Sequence, residues 1–332
     1  MSQIALPPVD RIEALRRFGY NAREAEFLSI AALHGGYFVR PQFARFLGRA
    51  MGGTASTLIE KLMARGHARA TALARSTILY HLRARPFYAA LGQEDNRNRR
   101  HKQPLTIKNR LMALDFVLEH RDKTFLATEQ DKTEYFAGRG IPLSKLPKKI
   151  YGAAPGTARY FVDKYPIHVS EHPTFAFVDE GLTTASHFET FLSQYRELFR
   201  CLGRFHVVYV AASPLPFRWA EPTFERFKRK LSPSAGESDG ARLAAHFEMR
   251  RQVESKELTG FDGSKLIQFR NDRRTFSGPK YDALFTLWKR DSSLAVGLAG
   301  SVEMQSVPGL QGSFSTYLLR GHYDYFGTLT AF

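Results

Sequence analysis

The feature that most limits what this chain can fold into is the order of helical and β-prone stretches in its first ninety residues. Pro7 and Pro8 break the chain before an amphipathic stretch, residues 10–18, with Ile12, Leu15 and Phe18 on one side. Asn21, followed three residues on by Glu24, has the spacing of a reciprocal helix cap. The helix it opens runs to Leu33, buries Phe27, Leu28, Ile30 and Ala31, and stops at Gly35-Gly36, where the left-handed backbone of a helix end is accessible. Tyr37, Phe38 and Val39 make a minimal strand. Arg40-Pro41 opens a second helix, with Phe43, Phe46 and Leu47 inward and Gln42, Arg45 and Arg49 outside. After Gly52-Gly53, Thr54 caps a third helix that reaches Ala64. It turns Leu58, Ile59 and Leu62 inward and leaves Ala55, Ser56, Thr57, Glu60, Lys61 and Arg65 for the other face. Two β-prone pieces, 68–73 and 76–82, meet at Ala74-Arg75. This succession is the order of a winged helix-turn-helix, in which the third helix enters the major groove and the hairpin lies along the neighbouring backbone.

Charge points the same way. The 332 residues carry a formal +16, and residues 1–110 hold 19 Lys and Arg against 7 Asp and Glu, a net of +12. Residues 111–332 hold 29 against 25. An excess gathered in one third of a chain marks a surface that attracts a polyanion. Double-stranded DNA is the expected partner, met by Thr54, Ser56, Thr57, Lys61 and Arg65 on the third helix, Arg45 and Arg49 before it, and Arg69 and Arg75 on the hairpin. Arg97, Arg99 and Arg100 would add phosphate contacts. A homodimer on a two-fold site is expected, as is usual for such modules. The competing reading is a winged helix that binds protein, as a scaffold.

Several classes are set aside. No apolar run is long enough for a transmembrane helix, and the N-terminus lacks the pattern of a secretory signal, so a cytoplasmic location is expected. Cys201 is the sole cysteine, which precludes an intrachain disulfide and a thiolate cluster and reads as a small buried hydrophobe. There is no glycine-rich phosphate loop and no Ser/His/Asp signature, so no cofactor is expected.

Beyond residues 1–92, the polar stretch 93–104 reads as a basic linker and 106–120 as a bridging helix, together spanning 93–122. Residues 123–231 read as a small α/β domain. Strands are expected at 160–162, 167–169, 174–178 and 205–212, with a helix at 187–202 that makes a βαβ unit of the last two. Residues 232–332 hold a charged helix near 242–258 and otherwise suggest no fold.

Asp163, Asp179 and Glu180 stand at strand ends, where converging carboxylates suit a hard cation. They make a metal-dependent DNA-nicking enzyme the rival function. A nuclease of the PD-(D/E)XK type also needs a lysine two residues after the second acid, and Gly181 and Leu182 stand there instead. Non-enzymatic binding is therefore preferred. His168 and His172 are not on one helix, so no metal site is expected.

The motif Phe177-Val-Asp-Glu-Gly181, the helix segment Phe191-Leu-Ser-Gln-Tyr195 and the strand Val207-Val-Tyr-Val210, following a winged helix, resemble the replication-relaxation family over about residues 20–215. The resemblance implies a DNA-binding regulator or maintenance factor of a plasmid or integrative element, with a second domain like a degenerate restriction-endonuclease fold. The missing lysine and the long C-terminal extension depart from that pattern.

Overall fold

The computed structural model describes residues 8–48, 53–151, 157–181, 185–231, 239–255, 263–291, 311–321 and 323–326. The fold is mixed α and β, in two compact units: Met1–Phe227 joined by Gln311–Phe332, and Lys228–Leu310. No described helix is long and apolar enough to cross a membrane.

The first unit begins with α1 (Pro8–Arg16) and α2 (Ala22–His34). The cap at Asn21 is present: the Glu24 amide donates to Asn21 Oδ1 at 2.9 Å and the Asn21 amide to Glu24 at 2.8 Å. Such a cap stabilises by about 1 kcal/mol. Then come β1 (Tyr37–Val39), α3 (Arg40–Phe46), α4 (Gly53–Ala64), β2 (Ala68–Ala72), β3 (Ile78–Leu82) and α5 (Arg85–Ala90). The strands pair antiparallel in the order β1, β3, β2, with Tyr80 between Phe38 and Ala70. Phe27, Phe38, Phe43, Leu58, Leu62 and Phe87 fill the core beneath them, and each such side chain stabilises by about 2 kcal/mol when fully buried.

Residues 93–104, expected to be a linker, are held down instead. Asn98 is buried and donates to the Ala32 and Leu33 carbonyls at 2.8 and 3.1 Å, satisfying groups that the last turn of α2 leaves open. Its own carbonyl meets His81 Nε2 at 2.8 Å. Gly36, at φ +79°, is required here, because a Cβ would lie 2.8 Å from that carbonyl.

The bridging helix, α6 (Pro104–Glu119), is buried on almost every side between Ile107 and Val117. Ile107, Leu111, Met112 and Phe116 pack in one cluster with Tyr37, Val39 and Leu79 and with Ala176, Val178, Val208 and Val210. A second packing partner for α3 follows from this. Gln42, expected to face outward, is fully buried and donates to the Leu111 carbonyl and to Asp115, both at 2.9 Å. Ala55, placed on the outer face of α4, is also buried.

The chain continues through β4 (Thr124–Phe125), α7 (Glu129–Gly138), β5 (Lys148–Ile150), β6 (Ala158–Tyr160), β7 (Ile167–Val169), β8 (Thr174–Asp179), α8 (Ala185–Gln194), α9 (Arg196–Leu202), β9 (Arg204–Ala211) and α10 (Phe217–Leu231). The single helix expected over 187–202 is two, broken at Tyr195. The second unit contains α11 (Asp239–Glu254), α12 (Gly263–Thr275) and α13 (Pro279–Arg290), around Leu243, Phe247, Phe276, Leu284 and Phe285. After it β10 (Gln311–Leu318) returns to the first unit.

The five-stranded sheet runs β10, β9, β8, β7, β4. β8, β9 and β10 are parallel, and β7 and β4 continue antiparallel. One face of β8 and β9 rests on α6. On the other, Phe177 lies 5.0 Å from Phe188 and 5.2 Å from Tyr209, and Phe175 lies 5.0 Å from Phe199. Burial on both faces explains the unbroken apolar runs of these two strands. The C-terminal segment, for which the sequence suggested no fold, supplies an edge of this sheet.

Candidate nucleic-acid interface

α4 divides cleanly. Ala55, Leu58 and Leu62 point to the core, while Thr54, Thr57, Glu60 and Arg65 are exposed. Thr57 Oγ1 donates to the Gly53 carbonyl at 3.2 Å. Ser56 is half-buried, its hydroxyl accepting from Arg40 at 2.6 Å. The Arg65 guanidinium sits 5.4 Å from the centre of the Tyr20 ring and donates to the Lys61 carbonyl at 3.2 Å. Tyr20 in turn meets His67 Nδ1 at 2.8 Å, and burial, with Arg65 second, lowers the His67 pKa. A neutral His67 therefore braces the C-terminal end of the helix.

Lys61 does something other than expected. Its ammonium reaches both oxygens of Glu24, at 2.8 and 3.0 Å, and the Glu24 carboxylate is only 3 % exposed. Lys61→Ala should therefore lower stability by about 1–3 kcal/mol, because it removes one of the donors to a buried carboxylate. An unchanged denaturation midpoint would show that water takes over the role of the lysine.

The remaining cations are scattered in role. Arg45 does not face solvent freely: it pairs with Asp115 at 2.5 Å and Glu119 at 3.3 Å. Arg49 lies outside the described residues. Arg69 is exposed on β2. Arg75 and Ser76 form the hairpin tip, both with positive φ, and Arg75 pairs with Asp324 of the returning C-terminal segment. Arg97 stacks 4.8 Å over Tyr151, Arg99 donates to the Glu94 and Arg83 carbonyls at 2.7 and 3.3 Å, and Arg100 is exposed. The exposed set thus centres on Thr54, Thr57, Arg65 and Arg69.

The three carboxylates do not converge. Asp179, at the end of β8, accepts from Tyr209 at 2.6 Å and from the Gly181 amide at 2.8 Å. Glu180 accepts from Asn109 at 3.1 Å. Asp163 is raised in pKa by burial, against the pull of Arg110, Lys132 and Lys149. Among the described residues no three His, Cys, Asp or Glu are grouped to hold a metal ion. A lysine does stand nearby: Lys108 of α6, lowered in pKa by burial although Glu180 and Asp179 oppose the shift. Cys201, read as buried, is exposed. Sequence reasoning missed the Tyr20–His67 brace, whose only sequence signal is two amphipathic rings at helix ends.

No family model, curated protein or solved structure matches this chain.

Proposed function

We propose that the chain binds double-stranded DNA through its first ninety residues, folded as a winged helix-turn-helix with α4 in the major groove and the β2–β3 hairpin as the wing. The observation that carries this is the division of α4: apolar residues hold one face in the core, while Thr54, Thr57 and Glu60 lie on the other and Arg65 is exposed just past the last residue of the helix. Thr54 and Thr57 are short enough to let the helix approach base edges, and Arg69 is placed for phosphate. The net +12 of residues 1–110 supports the same partner. The active species in this reading is a homodimer on a two-fold site. Its biological setting, a regulator or maintenance factor of a plasmid or integrative element with a degenerate nuclease-like second domain, rests on the sequence resemblance.

The test is duplex affinity against salt. Wild type should lose affinity steeply as salt rises, and Arg69→Ala should make the slope shallower by about 0.9, the share of one phosphate. Thr54→Ala with Thr57→Ala should leave the slope alone and reduce discrimination between sites selected from a random duplex library. A wild-type affinity indifferent to salt would sink the proposal.

A further inference from the structure

β5 and β6 form a two-stranded antiparallel hairpin separate from both larger sheets. Lys148, Lys149 and Ile150 are all exposed, and Tyr151 is 40 % exposed. The register sets Lys149 directly opposite Arg159. Like charges facing across a pair of strands repel, and a two-stranded hairpin has little stability to spare. Tyr151, two residues after Lys149, shares its face. Lys149 Nζ lies 5.6 Å from the ring centre, and Arg97, from the segment pinned beside β3, lies 4.8 Å from it.

Two cations therefore flank one partly open aromatic ring, and a third, Arg159, stands across the strand pair from one of them. Residues 145–162 contain Lys145, Lys148, Lys149 and Arg159 and no Asp or Glu. Of these four cations, Lys145 alone has an ion pair among the described residues, with Glu197 at 2.8 Å. The cationic surface also reaches the base of the β2–β3 hairpin, since Arg99, two residues from Arg97, donates to the Arg83 carbonyl.

We infer that this face is a second nucleic-acid contact, taking the sugar–phosphate backbone of the duplex on Arg97, Lys149 and Arg159. Lys148, Lys149 and Arg159 outnumber the carboxylates beside them, Glu129 on the Tyr160 amide and Asp163 within the field of Lys149, and the excess calls for a polyanion. The exposed part of Tyr151 offers an aromatic surface to a sugar or base. The inference rests on the DNA-binding reading and adds a contact outside the winged helix.

Fluorescence anisotropy of a labelled duplex tests it, on the full chain, with K149A/R159A beside T54A/T57A. K149A/R159A should bind about tenfold or more weakly near physiological salt, with a slope shallower by about 2. It should unfold no earlier than wild type, since it removes a repulsion, and K149R/R159K should keep wild-type affinity. Unchanged affinity and slope in K149A/R159A, with T54A/T57A still impaired in discrimination, would overturn the inference and leave the α4 reading standing. That is also the outcome if the hairpin meets an acidic protein. Wild type without salt-dependent duplex binding would overturn both.

Discussion

Asp115→Ala should lower the stability of the first unit by about 3–5 kcal/mol, the range for breaking a buried, hydrogen-bonded charge pair. The Asp115 carboxylate is 2 % exposed. One oxygen accepts from Gln42 and Arg45, and the other from the Tyr323 hydroxyl. Alanine would leave a buried amide, a buried phenol and a half-buried guanidinium facing a void. The fall in melting temperature should be on the order of 10 °C for a unit of this size. Asp115→Asn keeps the shape and can still accept from two of the three donors, so its loss should be smaller. A D115A chain that melts with wild type would mean that Arg45 is held by Glu119 alone.

Acid should weaken the fold before most carboxylates titrate. Burial lowers the pKa of His34 to about 3 and of His168 to about 4. For His34, Lys132, Arg11 and Lys164 push the same way and Asp131 opposes. For His168, His120, Lys123 and His206 push down and Asp122 opposes. Both rings are charged in the unfolded chain below about 6.5 and neutral in the folded one, so stability is complete above that pH and falls as pH drops toward the folded values. Each contributes about 1.4 kcal/mol per pH unit, or roughly 4 kcal/mol for the pair between pH 6.5 and 5. Asp115 and Asp163, raised by burial, act in the opposite sense. Urea midpoints at pH 5 to 7 report the slope, and His168→Gln should make it shallower. A flat profile would place both rings in contact with water.

What was legible in the sequence was local. The Asn21–Glu24 cap, the Gly35-Gly36 stop and the Leu58–Leu62 spacing depend on neighbours within one turn, and the structure has them all. Gln42 was misplaced because helical periodicity assumes one buried side, whereas α6 gives α3 a second. Lys61 looked like a free cation because its partner, Glu24, lies 37 residues away. For Asp179 and Glu180 the residue types advertise metal chemistry, but the donors that engage them, Tyr209 and Asn109, come from other elements. β10 escaped notice because its serines and glycine hide the alternation of an edge strand that buries few side chains.

The position of β10 also bears on how the protein is made. Its partner β9 ends at Ala211, and Gln311 emerges only after the whole second unit has been synthesised. Until then the ribosome-bound chain presents β9, an apolar strand, as the open edge of a mixed sheet, the kind of surface that seeks strands from other molecules. The second unit is thus also a delay in translation. A chain stopped at Leu310 should be recovered in aggregates or on chaperones rather than as a smaller folded protein, and slow codons or a slow-folding insert would lengthen that vulnerable interval.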